Sequence, residues 1–248
     1  MRYFIYLAYD GTDYHGWQYQ PNAISVQEEL QKVLSTLLGE SLSVVGAGRT
    51  DTGVHARMMV AHFETGNTVD TDKLTFKMNC LLPSDISVYR IIPVKAEAHA
   101  RFSATARTYH YYISLQKNPF SSRFSTRIYY TLDFDKMNEA AALLMTHTDF
   151  GSFCKAHADN KTNICHVMQA RWVCQSPEQY FFEITADRFL RNMVRAIVGT
   201  LMDVGRGRMT LLQFEEVIQR GDRCVAGDSV PAQGLFLENI EYPENIFV

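Results

Sequence analysis

Over the first hundred residues the hydrophobic period alternates between the two of a strand and the 3.6 of a helix, in an order that few folds accommodate. Residues 2–9 are aromatic and β-branched and read as a strand ending at the turn dipeptide Asp10-Gly11. A polar aromatic loop follows through Tyr14, His15, Trp17 and Tyr19. Ser25 to Glu28 has capping-box spacing, and Val26, Leu30, Val33, Leu34 and Leu37 recur at helical spacing until Gly39. Strands at 42–46 and 57–64 flank a glycine-rich turn. Asp72 is placed to cap a short helix through Leu81, Pro83 stops it, and 86–94 reads as a strand. The order β, α, β, β, α, β is the ferredoxin-like split βαβ arrangement.

The second half repeats the theme. A strand at 108–115 precedes a helix from Asp135 to about Met145, strands at 165–175 and 179–186, and a helix from Leu190 to about Val204. A further helix runs from Thr210 to Gln219, and 235–240 closes the set as a strand. The expected class is α+β: two ferredoxin-like halves, 1–104 and 105–248, sharing a central mixed, mainly antiparallel sheet. Helices are expected on one side, and a cleft at the join.

An apolar share of 46% over 248 residues is ample for such cores. The apolar opening runs into Asp10-Gly11 too early to span a bilayer and has no cleavage site, which predicts a cytoplasmic protein with no membrane association. Five cysteines without C-x-x-C spacing indicate neither a disulfide framework nor a zinc knuckle, and Cys154, His157, Cys165 and His166 match no standard metal pattern. No H-E-x-x-H, phosphate-binding loop or dinucleotide fingerprint occurs, so no metal, cofactor or nucleotide cofactor is expected. A net charge of −3 argues against a protein coated in positive potential. The average hides a pattern, however: Arg101, Arg107, Lys117, Arg123 and Arg127 face only Glu97 between 97 and 130, and acids dominate from 215 onward. Basic and acidic faces, or simply solvated surfaces, both fit.

The run from Gly46 to Ala56 is the candidate site. It sets Asp51 on a turn with glycines at 46, 48 and 53 and Arg49 two residues before it. Glycines permit close approach of a ligand to the main chain, and a neighbouring cation keeps a carboxylate ionised. The same pattern suits an aspartate that only bonds local amides. Strand alternation puts Arg107, Tyr109 and Tyr111 on one face, suited to an unstacked base with flanking phosphates, or to core packing with satisfied hydroxyls. Arg188, Arg191 and Arg195 form a basic stripe at helical spacing, with Arg195 bordering the apolar side. There it either meets an anionic partner or lays its stem along apolar neighbours. Residues 231–237 form an apolar strand entered through Pro231 and Gly234.

Taken in order, these motifs resemble those of the TruA family of tRNA pseudouridine synthases along nearly the whole chain. Tyr9-Asp10-Gly11-Thr12 with Gly16-Trp17-Gln18 is similar to its opening motif, and Gly48-Arg49-Thr50-Asp51 with Gly53-Val54-His55-Ala56 to its catalytic turn. Asn79 with Leu82-Pro83 and Asp85-Ile86 follows, then the stretch from His99 to Ala104 with Arg107 and Tyr109. Phe189-Leu190 with Met193-Val194-Arg195 and Ile197-Val198-Gly199, and Pro231-Ala232 with Gly234-Leu235, complete the series. Met58-Met59, and Arg191-Asn192 before Met193, depart from the common pattern and bear on RNA contacts.

The resemblance implies an isomerase that breaks the C1′–N1 bond of a uridine, turns the base and rejoins C5 to C1′. Its substrates would be uridines thirty-eight, thirty-nine and forty in the anticodon arm of tRNA, flipped from their stack, and it would work as a homodimer. It further implies that Asp51 is the catalytic carboxylate, Arg195 its ion-pair partner and Tyr109 the ring that stacks on the target base. Leu237 would pack the pocket floor and Arg49 would meet the carboxylate or the flipped nucleotide, with Arg101, Arg107 and Arg191 as RNA contacts. Two other readings compete: a catalytically idle RNA-binding protein, and a nucleoside or glycoside hydrolase pairing Asp51 with Asp10 or Asp13.

Overall fold

The computed structural model describes residues 1–155 and 161–248 as an α+β protein of nine strands and five α-helices. They fall into two compact units: 1–105 with 236–248, and 106–235.

In the first unit β1 (Arg2–Tyr9) lies between β4 (Ile86–Val94) and β3 (His55–Glu64), antiparallel to both. β2 (Val45–Gly46) pairs with the outer side of β3. The order β4-β1-β3-β2, interrupted by α1 (Val26–Leu38) and α2 (Thr71–Leu81), is the split βαβ arrangement expected. The strand expected at 42–46 shrinks to two residues. Val44 and Leu42 are instead held by side chains of α1: the Val44 N–H donates to Gln31 Oε1, the Leu42 N–H to Ser35 Oγ.

The central position of β1 explains its unbroken apolar run, with Phe4, Ile5 and Leu7 fully buried. Ser25 caps α1 by accepting from the Glu28 N–H, and Gly39 ends it in the left-handed region at φ 70°. α2 is capped by Asp70, not Asp72: the Asp70 carboxylate accepts from the Lys73 N–H, and Asp72 falls inside the first turn, where a negative charge is also favourable. Asn79 ties α2 to β4 with two bonds, donating to the Val88 carbonyl at 2.7 Å and accepting from its N–H at 2.8 Å.

β9 (Leu235–Glu241) enters this unit at Phe236 and runs parallel to β3, pairing Phe236 with His55 and Leu237 with Ala56. The boundary expected after 104 falls one residue later, and the last strand, expected to close the second half, is grouped with the first.

In the second unit β5 (Ala106–Ser114), β8 (Gln179–Ala186) and β7 (Val167–Ser176) form an antiparallel order that repeats the β1-β3-β2 part of the motif. β6 (Thr126–Arg127) pairs parallel with β5. α3 (Phe134–Leu143), α4 (Met193–Gly205) and α5 (Leu211–Arg220) complete the unit. α5 opens on a full capping box between Thr210 and Gln213. α4 starts three residues later than expected because Asn192 adopts a left-handed φ of 67°, secured by its amide donating to Ser229 Oγ. Among the described residues no helix is long and apolar enough to cross a membrane.

Candidate active site

Asp51 is half-buried on the turn between β2 and β3. Its carbonyl accepts from the Val54 N–H at 3.1 Å, with Gly53 at φ 76° in the third position of that turn. Thr50 beside it is buried. Its hydroxyl meets the Tyr9 hydroxyl at 2.8 Å, and its carbonyl accepts from the Trp17 N–H at 3.2 Å. The Gly53 N–H donates to the Tyr14 carbonyl, and Tyr14 in turn donates its hydroxyl to Asp85 at 2.7 Å. Residues 9–17 therefore form a backbone cradle under the Asp51 turn. The opening motif and the catalytic-turn motif of the sequence are two sides of one construction.

That cradle depends on glycine at positions the sequence argument underweighted. A Cβ at Gly16 would stand 2.3 Å from the Thr50 carbonyl oxygen, and one at Gly11 would stand 2.0 Å from that of Val54. Of the three glycines in the run itself, Gly53 carries positive φ and Gly46 lies against the Trp17 ring, whereas a Cβ at Gly48 would meet nothing within 4 Å.

Leaving the turn, His55 is buried, its ring stacked on Phe236 at 4.5 Å. Its Nδ1 lies 3.0 Å from both the Gly11 N–H and Asp10 Oδ1. Asp10, weighed above as a second acid for hydrolysis, uses Oδ1 to accept from the Thr12 N–H and hydroxyl, which is the local role of an Asx-turn. Arg57 lies over the opposite partner in this strand pair, its guanidinium 5.3 Å from the Phe236 ring and 3.3 Å from Glu238. Leu237, buried beside Ala56, belongs to the same unit as Asp51, and so do the exposed Arg49 and Arg101. Met59 is core and pairs with Leu7 on β1, while Met58 is half-buried.

The remaining candidates belong to the second unit. Tyr109 is half-buried and meets the ring of Phe189 edge-on, at 5.0 Å and 83°. Tyr111, expected on the same face, is fully buried. Its hydroxyl meets Thr126 at 2.6 Å and donates to the Pro231 carbonyl, and burial raises its pKa, so this ring is core. Arg107 donates to the Asp187 carbonyl at 2.6 Å.

Arg195 lies in the first turn of α4, half-buried, with Nε donating to the Val230 carbonyl at 2.7 Å. This bond fixes the direction of the guanidinium, whose two Nη nitrogens carry the remaining N–H donors. The basic stripe expected along this helix does not form. Arg188 and Arg191 precede the helix, Arg188 donating to the carbonyls of Thr162 and Ile164 and Arg191 standing exposed before the left-handed Asn192. Sequence alternation alone does not show that Phe189, four residues before α4, packs against the Tyr109 ring.

Of the cysteine and histidine group, His157 lies outside the described residues. Cys165 is buried, which pushes its thiol up to about 12, and His166 faces Asp187 at 3.0 Å. A thiol held protonated is a poor metal ligand. Among the described residues no three His, Cys, Asp or Glu side chains are grouped to hold a metal ion.

Residues 5–103 and 140–243 match the family model described as tRNA pseudouridine synthase. A protein of Bacteroides thetaiotaomicron named tRNA pseudouridine synthase A is 58% identical over 248 residues, covering 99% of this chain and 92% of that one. A namesake from Porphyromonas gingivalis is 53% identical over 250 residues, covering 100% and 99%. Another from a Thermoanaerobacter species is 40% identical over 240 residues, covering 96% and 98%.

Proposed function

We propose that this chain, which belongs to the tRNA pseudouridine synthase family, isomerises uridine to pseudouridine at positions thirty-eight to forty in the anticodon arm of tRNA. Asp51 is the catalytic carboxylate, Arg195 its ion-pair partner, and Tyr109 the ring on which the flipped base stacks. Leu237 packs the floor of the pocket, and Arg49, Arg101, Arg107 and Arg191 contact the RNA. The reading extends to a homodimer in the cytoplasm.

The observation that carries it is the cradle under Asp51. Thr50 is locked on one side by Tyr9 and on the other by Trp17, so the neighbouring carboxylate is presented from a rigid backbone. Rigid presentation is what this chemistry needs. The C1′–N1 bond breaks, the base turns, C5 joins C1′, a proton leaves C5 and one is added at N1. Every atom of the uridine is conserved, so positioning and one charged carboxylate suffice, whether it attacks C1′, attacks C6 or removes a sugar proton. Supporting roles follow from geometry within the second unit. Phe189 steadies the Tyr109 ring, and the Val230 carbonyl aims the Arg195 guanidinium. Flipping costs a few kcal/mol, offset by stacking and phosphate contacts.

The test is incubation with a transcribed tRNA followed by position-resolved detection of pseudouridine. The proposal expects isomerised base confined to the three anticodon-arm positions. Unchanged RNA would point to an idle binding protein, and released uracil to a hydrolase.

A further inference from the structure

The turn after β4 holds a construction of which the functional assignment uses only Arg101. Three consecutive backbone N–H groups point at two imidazoles: Ala100 donates to His62 Nδ1 at 3.2 Å, and Arg101 and Phe102 donate to His99 Nδ1 at 3.1 and 3.3 Å. His99 and Ser103 close the turn reciprocally, the His99 N–H donating to Ser103 Oγ and the Ser103 N–H to the His99 carbonyl, both at 2.9 Å. Arg2, ion-paired with Glu64, donates to the Ala98 carbonyl, and the Tyr242 hydroxyl donates to that of Ala100. Both imidazoles must be neutral at Nδ1 to accept. Burial first, then His99 and Arg2 at His62 and Arg2 and Arg101 at His99, hold both below the ordinary histidine range.

The rings form a column from core to solvent. His62 is 5% exposed and meets His99 at 4.6 Å, His99 meets Phe102 at 4.4 Å, and Phe102 is 76% exposed with the Arg101 guanidinium 5.6 Å from its ring. A large apolar ring held in solvent on a turn this heavily tied, beside an arginine, has the chemistry of a stacking platform for a base with a flanking phosphate. We propose that a base of the bound tRNA stacks on Phe102 beside Arg101, and that His62 and His99 are positioning residues that hold this pair in place. The proposal rests on the tRNA reading above.

Binding of unmodified tRNA transcript and the dependence of the single-turnover rate on enzyme concentration test it. Phe102→Ala should weaken tRNA binding roughly 5- to 150-fold, the range for loss of one stacked base, and raise the enzyme concentration needed for the half-maximal single-turnover rate by the same factor. Phe102→Tyr should bind normally. His99→Ala should weaken binding similarly, His99→Asn, whose Oδ1 can accept the same two N–H groups, should restore it, and the double variant of Phe102→Ala with His99→Ala should bind no worse than the weaker single. Phe102 is so exposed that its alanine variant will fold even if changes at His99 do not. Tight binding by Phe102→Ala, within twofold of wild type, would overturn the proposal, with or without a change in oligomeric state. Additive losses at the two positions would overturn the positioning role. Failure of the wild-type protein to bind or modify tRNA would instead sink the functional reading itself.

Discussion

Gly16 and Thr50 stand so close that a Cβ on the first would lie 2.3 Å from the carbonyl oxygen of the second, and Gly16 also holds φ at 89°. The contact joins the loop after β1 to the residue before Asp51. Gly16→Ala should therefore cost about 1–3 kcal/mol from backbone strain alone, lowering the thermal midpoint by several degrees. Isomerisation should fall further than stability, because the displaced carbonyl belongs to the peptide that joins Thr50 to Asp51. Gly48→Ala, with open space around its Cβ position, should stay within about 0.5 kcal/mol of wild type. Equal midpoints for the two variants would show that the cradle is not what holds the turn.

The Tyr109 ring rests edge-on against Phe189, and that contact survives loss of the hydroxyl. Tyr109→Phe should keep the stack and tRNA affinity near wild type. Tyr109→Leu should lose roughly 1–3 kcal/mol of tRNA binding through the missing stack. Binding curves that coincide for the two variants would contradict the platform role.

How far these features could be read from the sequence depends on whether the signal is local. The caps at Ser25 and Gly39, and the periodicities of β1 and α1, are properties of a few neighbouring residues and emerged directly. Asp70 and Asp72 compete within one turn, and the sequence alone favours neither, so α2 began in the wrong place. The early start expected for α4 failed for a similar reason: Asn192 leaves the helical region because Ser229, far along the chain, receives its amide. With it went the stripe of Arg188, Arg191 and Arg195, whose spacing has meaning only on a continuous helix. Asp51 stood out because glycines and a cation surround it in sequence. The partners of its turn, Tyr9, Tyr14 and Trp17, are some forty residues away, and nothing local in the sequence ties them to it. β9 is read as a strand from its apolar run, but nothing in residues 235–240 says that it pairs with β3.

His62 makes stability depend on acid. Burial, then His99 and Arg2, lower its pKa to about 4, against about 6.5 in an unfolded chain. Between those values the unfolded state binds more protons, so the contribution is complete above about pH 6.5 and is lost as pH falls towards 4, at no more than about 1.4 kcal/mol per pH unit for one proton. The thermal midpoint should drop more between pH 7 and pH 4.5 for wild type than for His62→Asn, which retains an acceptor for the Ala100 N–H. Parallel profiles would mean that His62 does not carry this dependence.

The central claim, that the Asp51 carboxylate performs the chemistry while other groups hold the RNA, is tested most directly by measuring single-turnover pseudouridine formation and tRNA affinity together for Asp51→Asn. The account predicts no detectable turnover with affinity within a few-fold of wild type, since phosphate contacts dominate binding. Turnover above a tenth of the wild-type rate would contradict it.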